Sequence, residues 1–239
     1  MTTPTTSSLA IRRAEDRGHA NHGWLDARHS FSFADYYDPE HMGYRALRVI
    51  NDDTVAPGRG FGKHPHRSME IFTFIKEGTL RHEDSMGNGR DISAGEFQYM
   101  SAGSGVLHSE VNPSADQQVK LLQIWITPRE PAGEPRYQDL KLSGLPRREG
   151  LALLASPDGR DGSIAIRQDA EIQHGTLPKG ESLTIEPSPA LPYHWLHLVR
   201  GTLEIEGAVL SAGDAASHDH RPLALTASAD AEFLLFQLS

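Results

Sequence analysis

The alternation of apolar and polar positions divides this chain into many short segments with the character of β-strands. Residues 119–126 form the most continuous apolar run, and residues 70–75 are apolar at both odd and even positions, so each is predicted to be a strand covered on both faces. Glycine, proline and aspartate separate these runs from others along the chain. In the second half the predicted strands are residues 151–155, 164–167, 170–176, 182–185, 194–199, 202–205, 223–227 and 232–238. Such a succession of short strands with few helical stretches predicts an all-β protein made of sandwiches or barrels.

A change of composition near the middle of the chain indicates two domains. Pro128, Pro131 and Pro135 interrupt regular structure directly after the longest apolar run. A chain of 239 residues is long enough for two domains of ~100–150 residues each. The predicted organisation is an N-terminal domain at residues 1–135, a polar and basic connector at 136–150, and a C-terminal domain at 151–239.

Composition narrows the classes of function. Hydrophobic residues make up 38% and charged residues 23% of the chain, as in ordinary globular proteins. A net charge of −9 argues against direct binding of nucleic acid, which requires a concentrated basic face. No apolar run approaches the ~20 residues needed to span a bilayer, and the N-terminus lacks the features of a signal peptide, so we expect a cytoplasmic protein without membrane contacts. The absence of cysteine excludes disulfides, thiolate metal sites and thiol nucleophiles.

Two pairs of metal-ligating residue types occur in the first half. His64 and His66 are two residues apart, as are His108 and Glu110, so each pair would share one face of a strand. Brought together on neighbouring strands, they would form a site of three imidazoles and one carboxylate with open positions. This set of ligands suits iron, nickel, copper, manganese or zinc. The alternative is a turn whose histidines are satisfied by hydrogen bonds, because the chain contains 13 histidines.

An internal repeat indicates that only one half carries this site. The sequence Gly-Thr-Leu begins at both Gly78 and Gly201, and the pair of Gly95 and Glu96 has a counterpart at Gly213. Counting from these glycines, the positions equivalent to the four ligands are Pro187, Pro189, Thr226 and Ser228. The C-terminal half therefore keeps the framework without the ligands, and one metal per chain is predicted.

Several motifs together resemble those of the pirin family, whose members are two-domain cupins. They are RGHANHGW (17–24), FSFADYYDP (31–39), ALRVINDD (46–53), HPHR (64–67), DSMGN (84–88) and MSAGSGVLHSE (100–110). The resemblance covers nearly all of residues 11–238 and is strongest to bacterial quercetinase-like members. The first cupin motif is met at Gly58, His64, His66 and Glu70, with one extra residue before Gly78.

The resemblance implies two tandem cupin barrels, of which the C-terminal one has lost its metal ligands. It implies one divalent metal per chain, usually Fe²⁺, at His64, His66, His108 and Glu110, with nickel, cobalt, manganese, copper and zinc left open. The implied activity is that of a quercetin 2,3-dioxygenase, which cleaves a flavonol with O₂ and releases CO. Glu110 would then be a ligand and also the catalytic proton acceptor. Glu70 is a candidate for orienting a ligand histidine, or else a surface carboxylate at a strand edge.

Two other classes of function remain open from the sequence. Some pirins are regulatory proteins that bind a protein partner, with the redox state of the metal as the switch. A non-oxidative cupin, such as an isomerase or a small-molecule binder, would have the same fold, because a fold does not determine a function.

Overall fold

The computed structural model describes residues 9–239 and consists almost entirely of β-strands. The strands, numbered in chain order, are β1 (Ala10–Arg12), β2 (Gly18–Asn21), β3 (Leu25–His29), β4 (Leu47–Val55), β5 (Gly60–His66), β6 (Glu70–Glu77), β7 (Thr79–Asp84), β8 (Gly89–Ser93), β9 (Glu96–Ser101), β10 (Val106–Val111), β11 (Val119–Ile126), β12 (Arg136–Lys141), β13 (Arg147–Arg148), β14 (Leu151–Ser156), β15 (Ile164–Ala165), β16 (Ala170–Leu177), β17 (Ser182–Ile185), β18 (Tyr193–Ile205), β19 (Ala208–Ser211), β20 (Ala215–Asp219) and β21 (Leu223–Leu238). Within the described residues, helix is limited to two short 3-10 turns at Leu142–Gly144 and Arg160–Gly162. The predicted all-β class is confirmed.

The chain forms two compact units. The N-terminal unit contains residues 17–145 and 154–168, and the C-terminal unit contains the described residues up to Asp16 together with 146–153 and 169–239. This division differs from the predicted boundaries for a physical reason. Strand β1 pairs with β20, and Asp214 accepts hydrogen bonds from the Arg13 guanidinium at 2.8 Å and from the Ala14 backbone at 2.7 Å, so the first strand belongs to the C-terminal unit.

The N-terminal unit is built from two antiparallel sheets. One sheet has the strand order β12-β9-β6-β11-β4-β3-β2, and the other has the order β5-β10-β7-β8. Apolar side chains such as Ile75 and Leu121 from the first sheet and Leu80 and Ile92 from the second pack in one buried cluster. The expected connector begins as β12, which pairs with β9 at the edge of the larger sheet.

The C-terminal unit contains the two longest strands, β18 and β21, which pair along most of their length. Three register shifts interrupt this pairing around Arg200 and Thr202, where Gly201 adopts a φ of +87°. Two predicted pairs of short strands (194–199 with 202–205, and 223–227 with 232–238) are therefore single, irregular strands. A buried cluster that includes Leu196, Leu203 and Phe233 fills this unit. Among residues 9–239, no helix is long and apolar enough to cross a membrane.

Candidate metal centre

The pairing of three strands determines where the candidate ligands lie. Strand β10 runs antiparallel to β5 on one side, with His108 opposite His64, and antiparallel to β7 on the other side. The pairing of β10 with β5 shifts by one residue between His108 and Glu110. Both side chains are buried and lie on the same face of β10, because they are two residues apart. On the β7 side, Glu110 lies opposite His82.

The three predicted histidines converge. The ring centroids of His64 and His108 are 4.4 Å apart, and the ring centroid of His66 lies 4.8 Å from each of the other two. Their candidate ligand atoms all lie within 4.8 Å of one another. Two nitrogens bound to one ion at about 2.1 Å each can be at most about 4.2 Å apart, so small side-chain adjustments would suffice to bind a metal. His108 is buried, while His64 and His66 are half-buried and leave the group open on one side.

Glu110 occupies the inner side of this group. Its carboxylate is buried and accepts hydrogen bonds from Gln123 Nε2 at 2.8 Å and from Thr73 Oγ1 at 3.3 Å. Among the described residues, a carboxylate oxygen of Glu110 lies within 4.8 Å of a ring nitrogen of His108 and of one of His82. The structure thus brings the three predicted imidazoles together, and of these three it groups His108 most closely with the predicted carboxylate.

Electrostatics keeps these imidazoles in the form that binds metals. Burial, followed by the neighbouring His108 and His64, lowers the pKa of His66 to about 4. Burial, followed by His64 and His82, lowers the pKa of His108 to about 3. Both rings are therefore neutral at pH 7 and carry a lone pair, as a metal ligand must.

The hydrogen bonding of His108 also fits a metal site. Neither ring nitrogen of this buried side chain has a hydrogen-bond partner among residues 9–239. A buried polar group without a partner costs free energy on the order of 1–3 kcal/mol. An ion bound to one nitrogen would remove part of that cost, so this set of ligands can hold a divalent metal.

Aromatic side chains form a cavity in the same unit. Its volume is about 580 Å³, which lies within the range of small-molecule sites. Trp24, Phe33 and Phe61 contribute to its lining. Phe61 lies 6.4 Å from the His64 ring, and Phe33 packs against Trp125, which itself packs against His66 at 5.0 Å. The cavity walls therefore reach the histidine group.

Glu70 has neither of the roles considered for it from the sequence. Its carboxylate is buried, with 1% exposure, and accepts hydrogen bonds from the Tyr99 hydroxyl and from Ser101 Oγ at 2.6 Å. It also accepts a 3.1 Å hydrogen bond from the Arg167 backbone amide. Glu70 thus links β6 and β9 to the segment that returns to this unit, and these hydrogen bonds do not orient a ligand histidine.

Sequence reasoning missed His82 and Asp84, which lie beside the group. Their side chains are fully buried, and His82 Nε2 is 3.1 Å from Asp84 Oδ2. The sequence contained a signal for them, because they are two residues apart, as are His64 and His66, and they lie on one strand.

Histidines of the C-terminal unit occupy different surroundings. His194 lies opposite His218 in the pairing of β18 with β20, and both are buried. His194 Nε2 is 3.3 Å from Gln237 Nε2, and His218 Nε2 is 3.3 Å from Glu206 Oε1. Both groups of three candidate ligands found among the described residues lie in the N-terminal unit.

Comparison with known proteins identifies the family. A family model described as Pirin matches residues 10–126, and one described as Quercetinase C-terminal cupin domain matches residues 153–238. The protein named quercetin 2,3-dioxygenase from Escherichia coli (strain K12) is 48% identical over 231 residues, which cover 96% of this chain and 98% of that protein.

Solved structures agree with this result and with the expected pair of cupin domains. The crystal structure of the bacterial pirin YhhW from Escherichia coli in complex with nickel(II) has a TM-score of 0.91 and 46% identity, covering 97% of this chain and 99% of the other. An oxalate decarboxylase from Lactobacillus farciminis, with a TM-score of 0.70 and 14% identity over 99% of this chain and 88% of its own, shares the fold alone. The chain belongs to the pirin family.

Proposed function

We propose that this protein is a metal-dependent dioxygenase that cleaves a flavonol such as quercetin with O₂ and releases CO. The observation that carries the proposal is the convergence of His64, His66 and His108 on one open side of the barrel, with the nitrogens of His108 lacking partners in the described chain. The 48% identity to a protein named quercetin 2,3-dioxygenase supports the choice of reaction. In this reaction both oxygen atoms of O₂ enter the cleaved product, and one ring carbon leaves as CO.

The metal would be held by the three histidines together with Glu110. Three imidazoles and a carboxylate are a donor set of mixed nitrogen and oxygen character, which accepts Fe²⁺ and also nickel, cobalt, manganese, copper or zinc. We propose Fe²⁺, and a related pirin has been crystallised with nickel(II). A bound ion would supply Lewis acidity, which lowers the pKa of a flavonol hydroxyl and favours its anion.

Glu110 is the residue proposed to accept the proton of that hydroxyl. Its two carboxylate oxygens are held by Gln123 and Thr73, and these hydrogen bonds restrict the orientation of the carboxylate. A general base must lie within hydrogen-bond reach of the proton it removes, and Glu110 lies two residues from His108 on the same strand.

The aromatic cavity suits the other part of the substrate. Trp24, Phe33 and Phe61 offer flat apolar surfaces, and a flavonol is a planar molecule with two aromatic parts. Packing against these rings would remove water from the reacting region and orient the molecule relative to the histidines.

A turnover assay tests the proposal. The purified protein is loaded separately with each first-row divalent metal and incubated with quercetin in air, while flavonol absorbance and CO are measured. Equal loss of flavonol and gain of CO, dependent on metal and on Glu110, is expected. The absence of turnover with every metal would reject the dioxygenase proposal and favour the regulatory class.

A further inference from the structure

A second set of candidate ligands lies on the inner side of the metal centre. His82 on β7 faces Glu110 across the strand pair, and the neighbouring pair places Asp84 opposite His108. Candidate ligand atoms of His82, His108 and Glu110 lie within 4.8 Å of one another, and all three side chains are buried. This set shares His108 with the outer group of His64, His66 and His108.

Asp84 determines which nitrogen of His82 carries the proton. Asp84 Oδ1 accepts hydrogen bonds from the backbone amides of Met86 at 2.9 Å and Asn88 at 3.1 Å, and Oδ2 accepts one from Asn88 Nδ2 at 2.9 Å. A carboxylate surrounded by donors acts as an acceptor, so the proton of the 3.1 Å contact belongs to His82 Nε2. When the ring acts as a metal ligand, its lone pair is then on Nδ1. A carboxylate that fixes a histidine in this way is a recurring partner of metal-binding imidazoles.

His82 Nδ1 is buried and has no hydrogen-bond partner among residues 9–239. The ring is held in place by Tyr137, which stacks on it at 4.8 Å and 26°. Nδ1 therefore adds a third electron-pair donor to a buried region that already contains His108 and the Glu110 carboxylate. The Glu110 carboxylate already accepts hydrogen bonds, but the buried nitrogens of His82 and His108 have no partner in the described chain, which costs free energy that a bound cation would offset.

We propose that His82, His108 and Glu110 form an inner metal position, distinct from the outer position of the three predicted histidines. Two imidazoles and one carboxylate select a borderline divalent ion of the first transition row. The two positions share His108, and the proposed function uses Glu110 at the outer position as well, so they are occupied one at a time and the stoichiometry stays at one ion per chain. An ion in the inner position is enclosed by buried side chains, whereas the outer position borders half-exposed rings and can meet a substrate.

Cobalt binding in a protein without the outer histidines tests the inner position. The variant with His64→Ala and His66→Ala is titrated with Co²⁺, and binding is followed by visible absorption and equilibrium dialysis. One Co²⁺ per chain is expected, bound more weakly than in the unmodified protein. Adding His82→Phe, which keeps a ring but removes the nitrogens, is expected to weaken Co²⁺ binding at least about tenfold. Loss of a residue that hydrogen-bonds a ligand histidine weakens metal binding by about 10–100-fold in known sites.

A matched control uses another histidine–aspartate pair. His41 Nδ1 lies 2.7 Å from Asp38 Oδ2 outside both donor sets, so adding His41→Phe to the same variant should leave cobalt binding unchanged. The proposal is overturned if the variant lacking His64 and His66 binds no Co²⁺, or if His82→Phe and His41→Phe weaken binding equally.

A direct measurement avoids dependence on the folding of the His82 variant. The protein lacking the outer histidines is labelled with ¹⁵N-histidine, and its ring resonances are recorded before and after addition of Zn²⁺. A shift of His82 Nδ1 to the position of a metal-bound nitrogen is expected, and an unchanged resonance at saturating zinc refutes the proposal. None of these measurements uses flavonol turnover, so this proposal and the dioxygenase proposal can fail separately.

Discussion

Asp53 is a buried acid that should make the metal-free protein less stable at neutral pH than in mild acid. It lies on β4, opposite Ala27 on one side and Leu121 on the other, with 2% exposure. Its Oδ1 has no hydrogen-bond partner among residues 9–239. Burial, followed by the negative charges of Asp52 and Glu110, raises the pKa of Asp53 to about 8. The substitution Asp53→Asn removes the ionisation and keeps the shape of the side chain.

The direction and size of the effect follow from linkage. The unfolded chain releases the Asp53 proton near pH 3.8, whereas the folded chain retains it up to a pH of about 8. The contribution of Asp53 to the free energy of unfolding is therefore fully present below pH 3.8 and is lost as the pH rises towards about 8. The loss is about 1.4 kcal/mol per pH unit, or on the order of 4 kcal/mol between pH 4 and pH 7.

Urea unfolding of the chelator-treated protein at several pH values measures this effect. The free energy of unfolding of Asp53→Asn, relative to the unmodified protein, should increase from pH 4 to pH 7. The adjacent Asp52 provides the control because it pairs with Lys76 and lies near Arg17, so Asp52→Asn should destabilise the protein at pH 7. The reasoning is refuted if the free energies of unfolding of Asp53→Asn and of the unmodified protein differ by the same amount at every pH. That result would show that Asp53 is ionised in the folded chain.

Three further expectations follow from the site and the fold. His66→Ala should purify with little bound metal while His218→Ala keeps it, as measured by elemental analysis; equal loss in both would contradict a single N-terminal centre. Glu110→Gln should lower the rate of quercetin turnover by about 10²-fold or more with the metal retained, and an unchanged rate in the absorbance assay would exclude it as proton acceptor. Gly201→Ala should lower the melting temperature more than Gly180→Ala, because both glycines have positive φ but only at Gly201 would the new Cβ lie 2.0 Å from the Asp230 carbonyl; similar melting temperatures would show that the backbone at Gly201 can move.

Much of the strand pattern was predictable, because the alternation of side chains repeats locally. Val119–Ile126 and Ser182–Ile185 have the bounds expected from the apolar pattern. The prediction of a pair of ligands two residues apart on β5 also depends only on that local rule. The continuous strands β18 and β21 were predicted as interrupted, because a glycine or charged residue within a strand has the same local signature as a turn.

Long-range pairing explains what the sequence could not show. The partner of Ala10–Arg12 is a strand more than 200 residues away, and no local pattern specifies it. The same is true of Glu70, whose buried hydrogen bonds come from β9 and from Arg167. Its spacing from His66 suggested a role in the metal site, but the side chains across the strand pairs determine what it contacts.

Buried histidines of this protein differ in whether their ring nitrogens have hydrogen-bond partners, and only the structure reveals this difference. His174 is 3% exposed, and both of its ring nitrogens have partners: Arg147 donates to Nδ1 at 2.8 Å, and Nε2 lies 2.9 Å from Glu232. His108 is 1% exposed, and neither nitrogen has a partner in the described chain. Both residues lie on antiparallel strands, so residue type, burial and secondary structure do not separate them. The satisfied ring needs no ion, whereas the unsatisfied ring lacks a bond that an ion or another ligand would supply, and this difference supports the proposal that His108 is a metal ligand.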